Sequence, residues 1–192
     1  MTFEILEGSD EDLALVAEIF IAAMLKDRQW YSLMRDVKVE DWLVVGYTVL
    51  GLPGNFTKEQ VEASSGIPPM PEGVNQVMLK GMVALIGISK KYGYDSTKHY
   101  HRKGIAVLPE YQRRGIARML SEHLNGIADA EGGEIYVVTT PVSMLLFSTQ
   151  GFEIIGTESV DMTEFGGTPA EGNNYVMLRR SMGRALQASI LK

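Results

Sequence analysis

The segment Pro109-Glu-Tyr-Gln-Arg-Arg-Gly-Ile-Ala117 separates two stretches of different periodicity. Before it, His99 to Leu108 is a run of β-type residues, and Pro109, which cannot donate to a ladder, ends it. After it, Met119, Leu120, Leu124, Ile127 and Ala128 fall on one face of a helix that Gly132 and Gly133 stop. Strand, turn and helix in this order commit the chain to an α/β or α+β domain.

The turn also carries chemistry. At a helix start the first backbone N–H groups lack partners and the macrodipole is positive, so a short glycine-containing entry can hold an anion. Gly115 lets the backbone approach a phosphate, Ala117 is too small to block it, and Arg113 and Arg114 add charge over the same point. On local chemistry alone the same residues also read as a solvated helix start with incidental arginines. The segment is neither a Walker A loop, which needs Lys and then Ser or Thr after its last glycine, nor a three-glycine dinucleotide fingerprint.

The rest of the chain alternates strands and helices. Thr2 to Gly8 suits a strand, and Ser9-Asp-Glu-Asp12 an N-cap and acidic first turn for an apolar helix ending near Lys26. A short helix is expected over 27–35, then a strand from Asp41 to Leu50 whose near-continuous apolarity implies burial on both faces. Residues 51–73 read as loop, and Val74 onward as a helix ending in lysines and glycine. Downstream, Glu134 to Thr140 reads as a strand, Pro141 to Gln150 as a short helix, Phe152 to Met162 as a strand, and Asn173 to Ser181 as the last one after a glycine-rich loop.

With 192 residues and 45% hydrophobic content, one compact domain is the expectation. No cysteine is present, which removes thiolate metal sites and a cysteinyl acyl-enzyme and fits a reducing, cytoplasmic setting; no metal site is expected. The longest apolar run, Leu13 to Leu25, falls about seven residues short of a bilayer span and is broken by Glu18, so neither a membrane segment nor a signal peptide is expected. A net charge of -6 argues against a general nucleic-acid surface and mildly favours a cationic or neutral substrate.

Ile105 to Leu120, with Gln112, Arg113, Arg114, Gly115, Ile116 and Ala117 in order, resembles the coenzyme A signature of the GNAT superfamily of N-acetyltransferases. Leu146 to Gly156 resembles the superfamily's second stretch, usually Leu-Tyr followed by three residues and Gly-Phe. The likeness spans about Pro68 to Arg180 and is nearest to small fungal-type members, which join a proline-rich loop, a helix, a His-Tyr strand and the same turn. The hairpin that usually precedes this region is represented by a single clear strand.

The resemblance implies a mixed, mostly antiparallel sheet flanked by helices, with a splayed central strand pair holding coenzyme A. It implies that backbone groups of Ile105, Ala106 and Val107 pair with the pantetheine arm like an added strand. The N–H groups from Arg113 to Ala117 would hold the pyrophosphate, and Arg118 would extend that contact. Implied too is acetyl transfer from acetyl-CoA to an amine, preferably a small molecule, by direct attack in a ternary complex. A rival reading is a coenzyme A-binding module without useful catalysis. Oligomeric state is not legible.

Transfer needs a base, and His101 lies on the pantetheine strand, matching the first of two strand histidines in serotonin acetyltransferases. An imidazole near pKa 6.5 suits the task, if His99, His101 and Lys103 share one face and no bulge intervenes. His123 reads as surface, and Glu158 and Asp161 as weaker candidates. Phe147 stands where the superfamily commonly has a thiolate-protonating tyrosine. Water or another hydroxyl (Ser143, Tyr136 or Tyr175) could substitute, the thiolate could leave unassisted, or transfer could be inefficient. Ser143 is also the nearest stand-in for an asparagine that many relatives place near the pantetheine.

Overall fold

A computed structural model describes residues 46–54 and 87–181 continuously, with residues 5, 7–9, 12, 14–16, 19, 57, 74–76, 78, 79 and 85. Five strands form one sheet: β1 (Gly46–Gly51), β2 (Tyr100–Val107), β3 (Ile135–Thr139), β4 (Glu153–Ser159) and β5 (Asn173–Arg179), in the order β1-β2-β3-β5-β4. Only the β2–β3 pair is parallel, because helix α1 (Ile116–Ala130) carries the chain across between them. Helix α2 (Pro141–Ser148) follows β3, with Pro141 at a helix start where its missing N–H costs nothing. The sheet is thus mixed and mostly antiparallel, flanked by helices, as the GNAT-like expectation requires.

Side-chain alternation divides the sheet into two faces. Tyr100, Ile135, Val137 and Met177 pack with Ala128 of α1 and with Phe147 and Phe152 in one buried cluster. Intervening residues face the other way: Tyr136 and His101 meet Tyr94, and Ala106 meets Ile19.

Several expectations need correction. β1 begins at Gly46, residues 41–45 lying outside the description, and none of its residues is fully buried; Val49 is 41% exposed. It stands last in the order of described strands, so one edge lacks a described neighbour. Ile88–Tyr92 is a 3-10 helix, set off by left-handed Gly87 and Gly93, and not the end of a continuous α-helix. The buried face of α1 is not the purely apolar one that its periodicity implies, since Ile127 is 40% exposed while Ser121, Asn125 and Asp129 are buried. The reason lies across the interface, where two sheet arginines require polar partners.

Asp12 reaches back to Ser9, accepting from Ser9 N at 2.7 Å and from Ser9 Oγ at 3.1 Å, with Ala14 to Val16 helical beyond it. The proposed opening strand lies mostly outside the described residues, and Ile5 and Glu7 are not in a strand. The helix proposed over 27–35 and most of the 51–73 loop also lie outside them.

Candidate functional site

β2 and β3 pair only from Tyr100 to Arg102, opposite Ile135 to Val137. Beyond that point they diverge, and the β3-facing edge of β2 from Lys103 to Val107 has no strand partner among the described residues. A cleft of about 620 Å³ occupies the opening. Arg102 to Val107 and Val137 to Thr140 form its walls, the start of α1 closes one end, and Val142, Ser143 and Leu145 to Phe147 of α2 border its side.

The α1 end is built largely from backbone. Pro109–Tyr111 forms a 3-10 turn, and Gln112 Nε2 donates to the Val107 carbonyl at 2.9 Å, tying the turn back onto the strand it leaves. Arg113 and Gly115 both have positive φ, 61° and 84°, and Arg113 is the one non-glycine with that geometry among the described residues. Left-handed residues next to a helix start curve successive N–H groups into an anion-binding concavity. A Cβ on Gly115 would meet nothing within 4 Å, so backbone conformation, not space, requires glycine there.

The two arginines of the turn separate. Arg113 lines the cleft, as do Ile116, Ala117 and Arg118. Arg114 instead donates from Nη2 to the Glu110 carbonyl at 2.9 Å and lies 5.2 Å from the Tyr111 ring centroid, outside the lining.

The opposite end, where the strands begin to diverge, is built from side chains. Val49 pairs with Gly104 but Leu50 with Arg102, so Lys103 is the extra residue of a β-bulge. Arg102, 2% exposed, runs under α1, donating to Thr48 Oγ1, Ser121 Oγ, the Ser121 carbonyl and Asn125 Oδ1 (2.9 Å). No carboxylate pairs with it among the described residues. Nearby, Arg179 makes a bidentate bond to Asp129, both at 2.7 Å.

His101 faces away from Arg102. Its Nε2 lies 3.0 Å from Ser89 Oγ, its Nδ1 is buried without a partner among the described residues, and its ring meets Tyr94 edge-on at 4.9 Å. It does not line the cleft. Burial, and then the Lys103 charge, hold its imidazole down to about pKa 4. Lys103 shares the His101 side of the strand, both approaching the open Cα face of Gly51.

Of the hydroxyls proposed near the thioester, Ser143 lines the cleft. Tyr136 is buried with its OH 3.4 Å from the Tyr92 carbonyl, and Tyr175 packs against the core cluster. Phe147 is 1% exposed and packs edge-on against Phe152 at 5.2 Å. Glu158 is bonded by Lys91 and by Tyr92 OH (2.7 Å), Asp161 accepts from Thr163 N, and His123 is exposed. Sequence reasoning misses Tyr111, Thr139 and Thr140, which also line the cleft. Nothing in a strand end or turn flags them until the splay is known.

Among the described residues no group of three His, Asp or Glu could hold a metal, and no helix is long and apolar enough to cross a membrane.

Comparison with known proteins gives the same picture of the fold. Residues 74–154 match the acetyltransferase (GNAT) domain family. No curated protein sequence matches. Among solved structures, a putative arylalkylamine N-acetyltransferase 7 from the yellow fever mosquito Aedes aegypti aligns over 91% of this chain and 85% of its own, at 14% identity and TM-score 0.58. A mosquito arylalkylamine N-acetyltransferase like 5b covers 71% of this chain and 68% of its own, at 17% identity and TM-score 0.48. The ribosomal-protein-S18-alanine N-acetyltransferase of Escherichia coli aligns over 44% of this chain, at 23% identity and TM-score 0.36; the match spans 56% of that protein's length. The strand order, the splay between β2 and β3, the domain match and the structural likeness over 91% of this chain together identify the fold as that of the GNAT acetyltransferases.

Proposed function

We propose that this chain, as one domain, is an acetyl-CoA-dependent N-acetyltransferase that acylates a primary amine of a small molecule in a ternary complex. The observation that carries the reading is the splay itself. The β3-facing edge at Lys103 to Val107, unpaired among the described residues, runs from the bulge toward a backbone anion site at α1, which suits a ligand with amides at one end and phosphates at the other. Backbone groups of Ile105 and Ala106 would meet the pantetheine amides; the Val107 carbonyl already accepts from Gln112. The N–H groups of Arg113 to Ala117, with the Arg113 and Arg118 side chains, would take the pyrophosphate. Acetyl-CoA supplies an acyl thioester with a thiol leaving group.

Ser143, which lines the cleft, would donate the proton, the role Phe147 cannot fill. His101 serves as base through ordered water, since it stands behind the bulge and not on the cleft wall. Because its ring is already neutral well below pH 7, it is in the accepting form throughout the neutral range. We place the chain with small fungal-type relatives and in the cytoplasm on the sequence features given above.

A second reading has specific support. Phe147 lacks the usual hydroxyl, and His101 Nε2 is occupied by Ser89, so the chain could bind coenzyme A with little transfer. Calorimetric coenzyme A binding, run beside thiol release from acetyl-CoA over an amine panel, separates the two. Amine-dependent release supports the enzyme. Binding without release on any panel member favours the second reading, and absence of binding overturns both.

A further inference from the structure

The charge lining the cleft differs in sign from the charge of the chain. The whole chain carries -6, yet the described residues lining the cleft include Arg102, Lys103, Arg113 and Arg118 and no carboxylate. Nearby acids are engaged elsewhere: Asp129 with Arg179, Glu158 with Lys91, and Asp95 with Lys98.

The four cations fall into two groups. Arg113 and Arg118 stand at the α1 anion site. Lys103 is four residues up the strand from Val107, roughly 13 Å at about 3.3 Å per residue, which puts its ammonium beyond the reach of an anion bound at that site. Arg102 is spent on four hydrogen bonds under α1, leaving Lys103 as the exposed cation at the divergence point among the described residues.

Lys103 owes its position to the bulge. As the extra residue between the Gly104 and Arg102 pairings, it lies over Gly51 on the His101 side, where its charge reaches the imidazole. It makes no ion pair among the described residues, and partial desolvation lowers its pKa from the ordinary lysine value. An ammonium there with no ion-pair partner among the described residues repels a second cation and favours an anion.

We propose that Lys103 is an acceptor-specificity residue, and that the acceptor is a primary amine carrying a carboxylate near its nitrogen, as an amino acid does, and not a polyamine or simple alkylamine. This rests on the reading of the cleft as an acyl-CoA site. It replaces the expectation from net charge that the protein attracts cations, because the local sign at the reacting end decides which acceptor is held. The carboxylate pairs with Lys103, and the amine is left toward the thioester end of the cleft.

The test uses the full chain saturated with coenzyme A, titrated calorimetrically with amine pairs that differ by one carboxylate: tryptophan and tryptamine, histidine and histamine, lysine and cadaverine. The expected result is that in at least one pair the carboxylated member binds about tenfold or more tightly, the size of a charge-assisted hydrogen bond. Lys103→Met should reduce that preference to about threefold or less, and Lys103→Arg should keep most of it. Equal or tighter binding of the decarboxylated members, an unchanged preference in Lys103→Met, or no binding by any pair overturns the proposal. Coenzyme A binding, measured first, reports separately on the cleft assignment. A chain that binds coenzyme A and shows none of the preference sinks the Lys103 proposal alone.

Discussion

The two ends of the cleft are made differently. The α1 end depends on backbone: two left-handed residues, one of them a glycine, and the start of a helix. The divergence point depends on buried side chains: Arg102 spread over Thr48, Ser121 and Asn125, Arg179 clamped by Asp129, and His101 held by Ser89 and Tyr94. A backbone site tolerates changes in its side chains but not in its dihedrals. A side-chain network behaves in the opposite way, because each buried polar group relies on a partner contributed by another element.

The largest contrast should come from Asp129→Ala. It strands the buried Arg179 guanidinium, and losing one partner of a buried pair costs about 3–5 kcal/mol, so the urea midpoint should drop sharply. No single side-chain truncation among Arg113, Arg114 and Arg118 should approach that loss. If one did, the division between the ends would be wrong.

The next effect is a pH dependence that His101 adds at the divergence point. The folded His101 titrates near 4 and the unfolded group near 6.5, so within that window the unfolded chain binds more protons. Stability is therefore fully present above about pH 6.5 and declines as pH falls toward 4, by at most about 3–4 kcal/mol from this group. Chemical denaturation across that range should show the decline in the natural chain and a flatter profile in His101→Gln. Identical profiles would remove the burial argument for His101.

At the α1 end the test is conformational. Gly115→Ala forces a Cβ into the left-handed region, which costs about 1–2 kcal/mol, and should also weaken coenzyme A binding by distorting the N–H array. Arg113→Gly relaxes a strained φ and should change stability by less than about 1 kcal/mol in either direction. Thermal midpoints check both. Smallest of all is Arg114→Ala, which should alter coenzyme A affinity less than Arg113→Ala does, since Arg114 is turned onto Glu110 and Tyr111. Equal losses would mean that Arg114 swings back over the anion.

The same division explains what can be read in advance. Pro109, Gly115 and the apolar repeat after them are local signals, and the turn, the helix start and the strand before it appear where those signals place them. The buried face of α1 is not legible in this way, because Ser121, Asn125 and Asp129 look like surface residues until Arg102 and Arg179 are brought beneath them. Arg113 and Arg114 look equivalent in the chain, yet the fold separates them.

The amino-acid order alone determined the strand-turn-helix unit, its left-handed glycine and the strands and short helix downstream of it, because dihedral preference and hydrophobic period act over a few residues. Tertiary structure decided where β2 leaves β3, that Lys103 bulges to the His101 side, and which polar groups are buried. Those outcomes depend on pairing register between segments some 30 to 60 residues apart, such as β2 with β3 and with β1, which no local pattern encodes.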